Sequence, residues 1–273
     1  MTPAALGLFG EALGWLADPA HWSGAGGIPS RMLQHLGVTA LVLLIAGAVA
    51  LPAGVLIGHT RRGSGLVGGL TGAARALPTL GLLTLFGLAF GIGLTAPLLA
   101  LVVLAVPSLL AGAYAGVQAI DPSVPAAAKA VGFSPAQVIL RVELPLSLPV
   151  MVGGVRAATL QVVSTATLAA YTADIGLGRY LFAGLKSRDY VQMLAGALLV
   201  VAITLLLELL LALCQRAASA RFGRPGSRAP RARPAGLGAP GDPDLSAPSD
   251  PRPPSPEPSD RPVSPDRREE ARS

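Results

Sequence analysis

The chain has 273 residues, 52% of them hydrophobic and only 13% charged, with a formal net charge of +6 and a mean hydropathy of +0.59. An ordinary soluble domain carries about 25% charged residues, so a purely soluble globular protein is excluded. A single cysteine, Cys214, excludes an internal disulfide framework and a cysteine-based metal cluster.

The charges are unevenly spread. Residues 1–220 hold 18 charged side chains, and the 53 residues that follow hold another 18, together with 13 of the 25 prolines. A membrane body is therefore joined to a water-loving tail. Ten of the basic residues are tail arginines interleaved with acids. The body has no basic stripe with interleaved aromatics, so nucleic acid is not an expected partner. His21, His35 and His59 lack metal-ligand spacing. No metal or other cofactor is expected. Met1–Trp22 has no basic n-region and contains Glu11 and Asp18, unlike a signal peptide.

Residues 1–35 read as an N-terminal segment, with Trp15 and Trp22 suited to a membrane–water interface or to a short surface helix. Five apolar stretches follow, at about 36–57, 76–90, 94–117, 146–171 and 191–214. The expected fold is an all-α polytopic membrane protein with about five transmembrane helices, the membrane body covering 36–215. Gly91-Ile92-Gly93 reads as a tight turn between the second and third stretches. Pro52, Pro78, Pro97 and Pro107 lie in or near spans, either kinking helices or simply tolerated there. Residues 216–273 read as a disordered cytoplasmic tail, whose run 251–258 favours extended polyproline conformations that fit either a partner-docking segment or a plain solvated tail.

Orientation is read from the basic residues. With five spans and the N-terminus outside, Arg61, Arg62, Arg75, Lys129, Arg141 and the arginines from Arg216 onward lie inside. Arg31, Arg179, Lys186 and Arg188 lie outside. This distribution favours N-terminus out and C-terminus in.

The polar segment 118–145 carries the most information. Asp121 or Ser123 can cap a first helix, with Pro122 or Pro125 in its opening turn, and Ala126–Val131 is strongly helix-forming. Gly132 can end that helix in a left-handed conformation. Ser134-Pro135 then starts a second helix, with Val138, Leu140 (or Ile139) and Val142 alternating with Gln137, Arg141 and Glu143. Leu144-Pro145 is expected to break it before the fourth span. Such a two-faced element fits a groove of a soluble partner. It fits a loop lying on the membrane surface equally well.

The spacing Ala127-Ala128, Gly132, nine residues, Val142, one residue, Leu144-Pro145 resembles the coupling signature of permease subunits in binding-protein-dependent ABC importers. That signature reads Glu-Ala-Ala, three residues, Gly, nine residues, Ile-x-Leu-Pro. Here Ala126 stands for the Glu, which removes any salt bridge from that position, and Val142 stands for the Ile. Trp15-Leu-Ala-Asp-Pro, Ile57-Gly-His-Thr-Arg-Arg-Gly63, Arg75-Ala-Leu-Pro-Thr79, Tyr114–Pro122 and Ser164-Thr-Ala-Thr-Leu-Ala-Ala followed by Gly176-Leu-Gly178 are similar to the osmoprotectant branch of that family. The resemblance implies import of glycine betaine, choline, carnitine or proline-type solutes. It also implies cytoplasmic ABC ATPase subunits, an extracytoplasmic solute-binding protein and a second permease, either the same chain or a sister. The sequence contains no Gly-x4-Gly-Lys-Ser/Thr phosphate loop, so the chain is not expected to be an enzyme and has no expected catalytic residue.

The fourth span is the candidate translocation path. Gln161, Ser164 or Thr165, Leu168 and Thr172 fall at helical spacing, where polar groups serve a solute path or bond neighbouring helices. Arg156 in this span and Glu208 in the fifth are charges at membrane depth and join the candidates. Arg156 can snorkel to the inner interface. Glu208 calls for a cation from a neighbouring helix or a partner subunit. The competing class is an ion-gradient-driven secondary carrier, which would call for internal repeats or acids in several spans. The sequence has neither.

Overall fold

The structure is a computed structural model and describes residues 3–222, so of the expected tail 216–273 the part from 223 lies outside the described residues, while 216–222 are helical rather than disordered. All the regular elements in that range are helical. Helix α1 (Pro3–Ala17) and a short turn (Pro19–Trp22) lead to α2 (Ile28–Thr60). Asp18 caps the turn by accepting from the Ala20 amide at 2.9 Å. Trp15 stacks on His21 and meets Tyr180 edge-on, so it is packed within the protein.

At 33 residues, α2 is about 50 Å long, beyond the ~30 Å bilayer core. It extends past the apolar stretch 36–57 at both ends, because Pro29 opens it at the start and Arg61, with φ 53°, stops it at the end. The chain then forms α3 (Ser64–Ala76) and α4 (Thr79–Phe90), bent 84° from each other. The bend has a local cause. Pro78 has no amide to donate, and Leu77 before it is driven to an extended conformation, with φ −71° and ψ 123°. By contrast, Pro52 and Pro107 sit inside continuous helices.

After the Gly91–Gly93 turn, α5 (Thr95–Gln118) crosses to α6 (Ser123–Ala130). Gly132 has φ 93°, ending the α6 turn in the left-handed region. Ser134 caps α7 (Pro135–Val138) in a reciprocal capping box with Gln137. The expected break at Leu144-Pro145 does not occur. A π turn at Ile139–Glu143 leads into α8 (Leu144–Thr165), and a 3₁₀ stretch, Ala166–Tyr171, completes one 37-residue helical rod. The Leu144 amide bonds to Ile139 O, five residues back, and this wider turn lets Pro145 enter the first turn of α8. The short α9 (Gly178–Ser187) precedes α10 (Tyr190–Phe222), which runs beyond the apolar stretch 191–214.

Four of these helices are long and apolar enough to cross a membrane, or five spans if the bent α3–α4 pair counts as one. Connectivity favours five. The ends of α2 and α5 lie together, since Arg61 donates to Ile120 O at 2.7 Å. Both helices therefore run in the same direction, and α3–α4 must return the chain between them. The core joins Val38, Val42, Ala46 and Ala50 of α2 to Leu101, Ala105 and Leu109 of α5 and to Ala158 and Val162 of α8. Glycines set the helix spacing. A Cβ on Gly54 would lie 2.6 Å from Leu110 O, and one on Gly154 would lie 2.5 Å from the Gly112 Cα. The outer faces are apolar: Leu88 on α4 is 84% exposed, and Leu205, Leu206, Leu209 and Leu213 on α10 are exposed. This suits contact with lipid tails, where exposed leucines cost nothing.

Candidate functional site

The connection from α5 to α8 forms a bent lever at one end of the bundle. Asp121 accepts from the Ser123 amide at 2.9 Å, fixing the start of α6. Ala127 and Gly132 are exposed, and Ala128, Val142, Leu144 and Pro145 are half-buried. Val131 is 76% exposed and Leu140 63% exposed, giving the lever an apolar outer surface. A groove of about 410 Å³ lies beside it, lined by Leu51, Val55, Ile139, Leu144 and Met151 among others.

The alternating face read from the sequence holds only in part. Val138 is fully buried, and so is Glu143, at 4% exposure, although the pattern places Glu143 on the polar side. The π turn changes the register there, and Glu143 Oε2 meets His59 Nδ1 at 2.7 Å. His59 stands in the last turn of α2. Gln118 Nε2 donates to Gly58 O at 3.2 Å in the same place.

The candidate path residues fall into two groups. Gln161 Oε1 accepts from Ser108 Oγ of α5 at 2.8 Å, and the Thr165 hydroxyl donates to Gln161 O at 2.7 Å. Ser164 is exposed. Thr172 does not share their face, because the 3₁₀ stretch from Ala166 changes the helical repeat before it. Its hydroxyl bonds Gly93 O at 3.3 Å instead. Arg156 and Glu208 find each other. Arg156 Nε donates to Glu208 Oε2 at 2.8 Å and its Nη1 to Gln215 at 2.9 Å. Glu208 thus takes its cation from α8 of its own chain, and Arg156 is held by α10 rather than snorkelling.

The other end of the bundle carries a different set. Arg31 and Arg179 both contact Asp174, at 3.0 and 3.1 Å, and His35 Nε2 meets Val163 O at 2.9 Å. Tyr180 donates to Gly26 O at 2.7 Å, and burial pushes its hydroxyl above the usual range, so it stays protonated.

Residues 50–224 match the family model described as the binding-protein-dependent transport system inner membrane component. The chain belongs to this family. The permease is 28% identical over 186 residues to the choline transport system permease protein OpuBB of Bacillus subtilis, covering 68% of this chain and 86% of that one. It is 28% identical over 183 residues to the glycine betaine/carnitine/choline transport system permease protein OpuCB of the same organism, covering 67% and 84%. The osmoprotectant import permease protein OsmW of Salmonella typhimurium is 29% identical over 204 residues, covering 71% and 94%. In fold, the permease is similar to a chain of the inward-facing MetNI methionine ABC transporter, with a TM-score of 0.62 at 24% identity, over 74% of this chain and 99% of that one. It is an inner-membrane, multi-pass transport component of all-helical fold.

Long-range partnerships were not legible in the permease sequence, among them His59 with Glu143, His35 with Val163 O, and Ser108 with Gln161. Each joins residues more than fifty positions apart. The available signal was a polar side chain standing in or beside an apolar stretch.

Proposed function

We propose that this permease carries a small compatible solute, such as choline or glycine betaine, inward through an ATP-driven ABC importer. The observation that carries the reading is the set of relatives named as choline, glycine betaine/carnitine/choline and osmoprotectant permeases, each matched over more than four-fifths of its length. ATP is hydrolysed by separate cytoplasmic ATPase subunits, consistent with the lack of a phosphate loop in this sequence. An extracytoplasmic binding protein delivers the solute, and a second permease completes the pore.

In this reading the lever at 118–145 is cytoplasmic and seats on the ATPase through Ala127, Ala128, Gly132, Val142, Leu144 and Pro145. The exposed Val131 and Leu140 support it by offering an apolar docking surface. The N-terminus is outside, because Arg61, Arg62, Lys129 and Arg141 then lie inside with the tail arginines. Gln161, Ser164 and Thr165 offer hydrogen-bonding groups to the solute from α8, and Thr172 offers its own from beyond the 3₁₀ stretch. Arg156 and Glu208 are the charged candidates, and their pairing between α8 and α10 leaves no net charge there. Transport proceeds by alternating access, with the spans tilting as the ATPase dimer closes.

The test is uptake of labelled choline and glycine betaine in cells lacking their own importers and supplied with this permease, its ATPase and its binding protein. Uptake should need the ATPase and survive a protonophore while ATP is maintained. Uptake abolished by the protonophore at constant ATP would instead identify a gradient-driven carrier. In the same cells Gly132→Val should abolish uptake at normal membrane levels. No atom crowds a Cβ there, but φ 93° strains a β-branched residue by about 1–2 kcal/mol or more and so re-aims the lever. Full uptake by Gly132→Val would reject the docking role.

A further inference from the structure

The last turn of α2 grips both ends of the lever. At the lever's start, Arg61 donates to Ile120 O at 2.7 Å and Gln118 donates to Gly58 O at 3.2 Å. At its far end, His59 Nδ1 meets Glu143 Oε2 at 2.7 Å, where the side chains are 15% and 5% exposed. A buried carboxylate with one charged or polar partner is a costly arrangement to retain unless that contact is used. A Cβ on Gly58 would lie 2.7 Å from the Val117 Cβ, so this turn of α2 also rests directly on α5.

We propose that the α2 terminus is a transmission clamp, with His59 and Glu143 as positioning residues that make α2 follow the lever when the ATPase moves it. This rests on the reading of the lever as the ATPase-docking segment. Packed helices respond to a push as rigid bodies only where they are joined. The lever is joined to α8 by the chain itself, through the π turn. It is joined to α2, a separate span, by an apolar contact of Leu51 and Val55 with Ile139 and Leu144, which can slide, and by these side chains, whose polar bond fixes the register. Without His59–Glu143 only the apolar contact is left to pull α2, so α2 lags behind the lever and ATP is consumed with little opening of the path.

The experiment uses the full complex in proteoliposomes, and measures ATP hydrolysis and choline or glycine betaine uptake together. His59→Leu should leave hydrolysis near normal and lower uptake about tenfold, raising the ATP used per solute by the same factor. His59→Asn, which keeps a donor at the Nδ1 position, should restore the ratio to within about twofold. The double variant His59→Leu/Glu143→Leu guards against misfolding, because removing both partners leaves no orphaned charge. It should assemble normally and remain uncoupled. An unchanged ratio in the double variant, or His59→Asn behaving as His59→Leu, would overturn the proposal.

A second measurement needs no solute. Spin labels at Arg62 and Ala136, in a Cys214→Ser background, report the distance between the α2 end and the lever with and without bound ATP. A third label at Lys186 reports their movement against the opposite end of the bundle. Both inner labels should move relative to Lys186 while keeping their mutual distance, and the double variant should lose that constancy. If both move but separate from each other, the clamp falls alone. If neither moves, the docking reading falls and the clamp with it.

Discussion

The α2–α5–α8 core and the α8–α10 seam are both contacts between membrane helices, but different physics holds them. In the core, glycines bring backbones together. Gly54 and Gly58 of α2 lie against α5, and Gly112 of α5 lies against Gly154 of α8. At the seam, Val163 of α8 packs against Ile203 of α10, and Arg156 of α8 bonds Glu208 and Gln215 of α10, while much of the remaining α10 surface is exposed leucine. Lipid tails are as apolar as leucine, so burial of apolar area gives two membrane helices little reason to associate. Close packing or a polar bond must do it: close backbone approach leads in the core, and a charged pair reinforces the seam. The core is consequently intolerant of volume, and the seam is intolerant of unbalanced charge.

The largest effect is expected in the core. Gly154→Val places side-chain atoms where the Gly112 backbone already stands, and neither backbone can give way cheaply. Overpacking of this kind costs about 1–3 kcal/mol or more. Gly154→Val should sharply reduce the folded permease recovered from membranes, measured by monodisperse yield in mild detergent. Gly69→Val is the matched control, since a Cβ there meets nothing within 4 Å. Equal losses from the two substitutions would show that the Gly112–Gly154 approach does not hold the core.

The seam should respond next. Glu208→Gln leaves the Arg156 charge at membrane depth without its counter-charge, which is unfavourable. Thermal unfolding of the purified permease should shift to lower temperature, by more than a neutral hydrogen-bond deletion does. Arg156→Met/Glu208→Leu removes both charges and should recover most of that loss. The double variant also separates two roles. If uptake recovers together with stability, the pair ties α8 to α10. If stability recovers and uptake does not, the charges serve the path.

These regions were unequally legible in the sequence. The all-helical membrane body, the apolar stretches, the Gly132 turn and the Ser134-Pro135 helix start all follow from local chemistry, and the structure has them. The Leu144-Pro145 break was misread because proline rules assume α-helical register. A π turn at Ile139–Glu143 supplies another register, and no residue in it announces that. The span around 76–90 was legible as apolar. The 84° bend at Pro78 was open only as a possible kink, because how far a proline bends a helix depends on what packs against it. The partners of Glu208 and Glu143 lie 52 and 84 residues away, and a single sequence contains no information about such distances.

The smallest expected effect tests whether a neutral bond inside the core belongs with the packing or with the path. Ser108 Oγ donates to Gln161 Oε1 at 2.8 Å between α5 and α8, close to the apolar contacts that already join these helices. Hydrogen bonds between membrane helices average about 0.6 kcal/mol, because the separated helices also find partners. Ser108→Ala should therefore lower thermal stability only slightly, well below the effect of Glu208→Gln. It also frees the Gln161 amide, which is half-buried and one turn from Ser164 and Thr165. If Gln161 meets the solute, its release should change the concentration giving half-maximal uptake while the maximal rate stays near normal. A stability loss with unchanged uptake kinetics would assign the bond to the core alone, and would leave Ser164 and Thr165 as the polar contribution of α8 to the path.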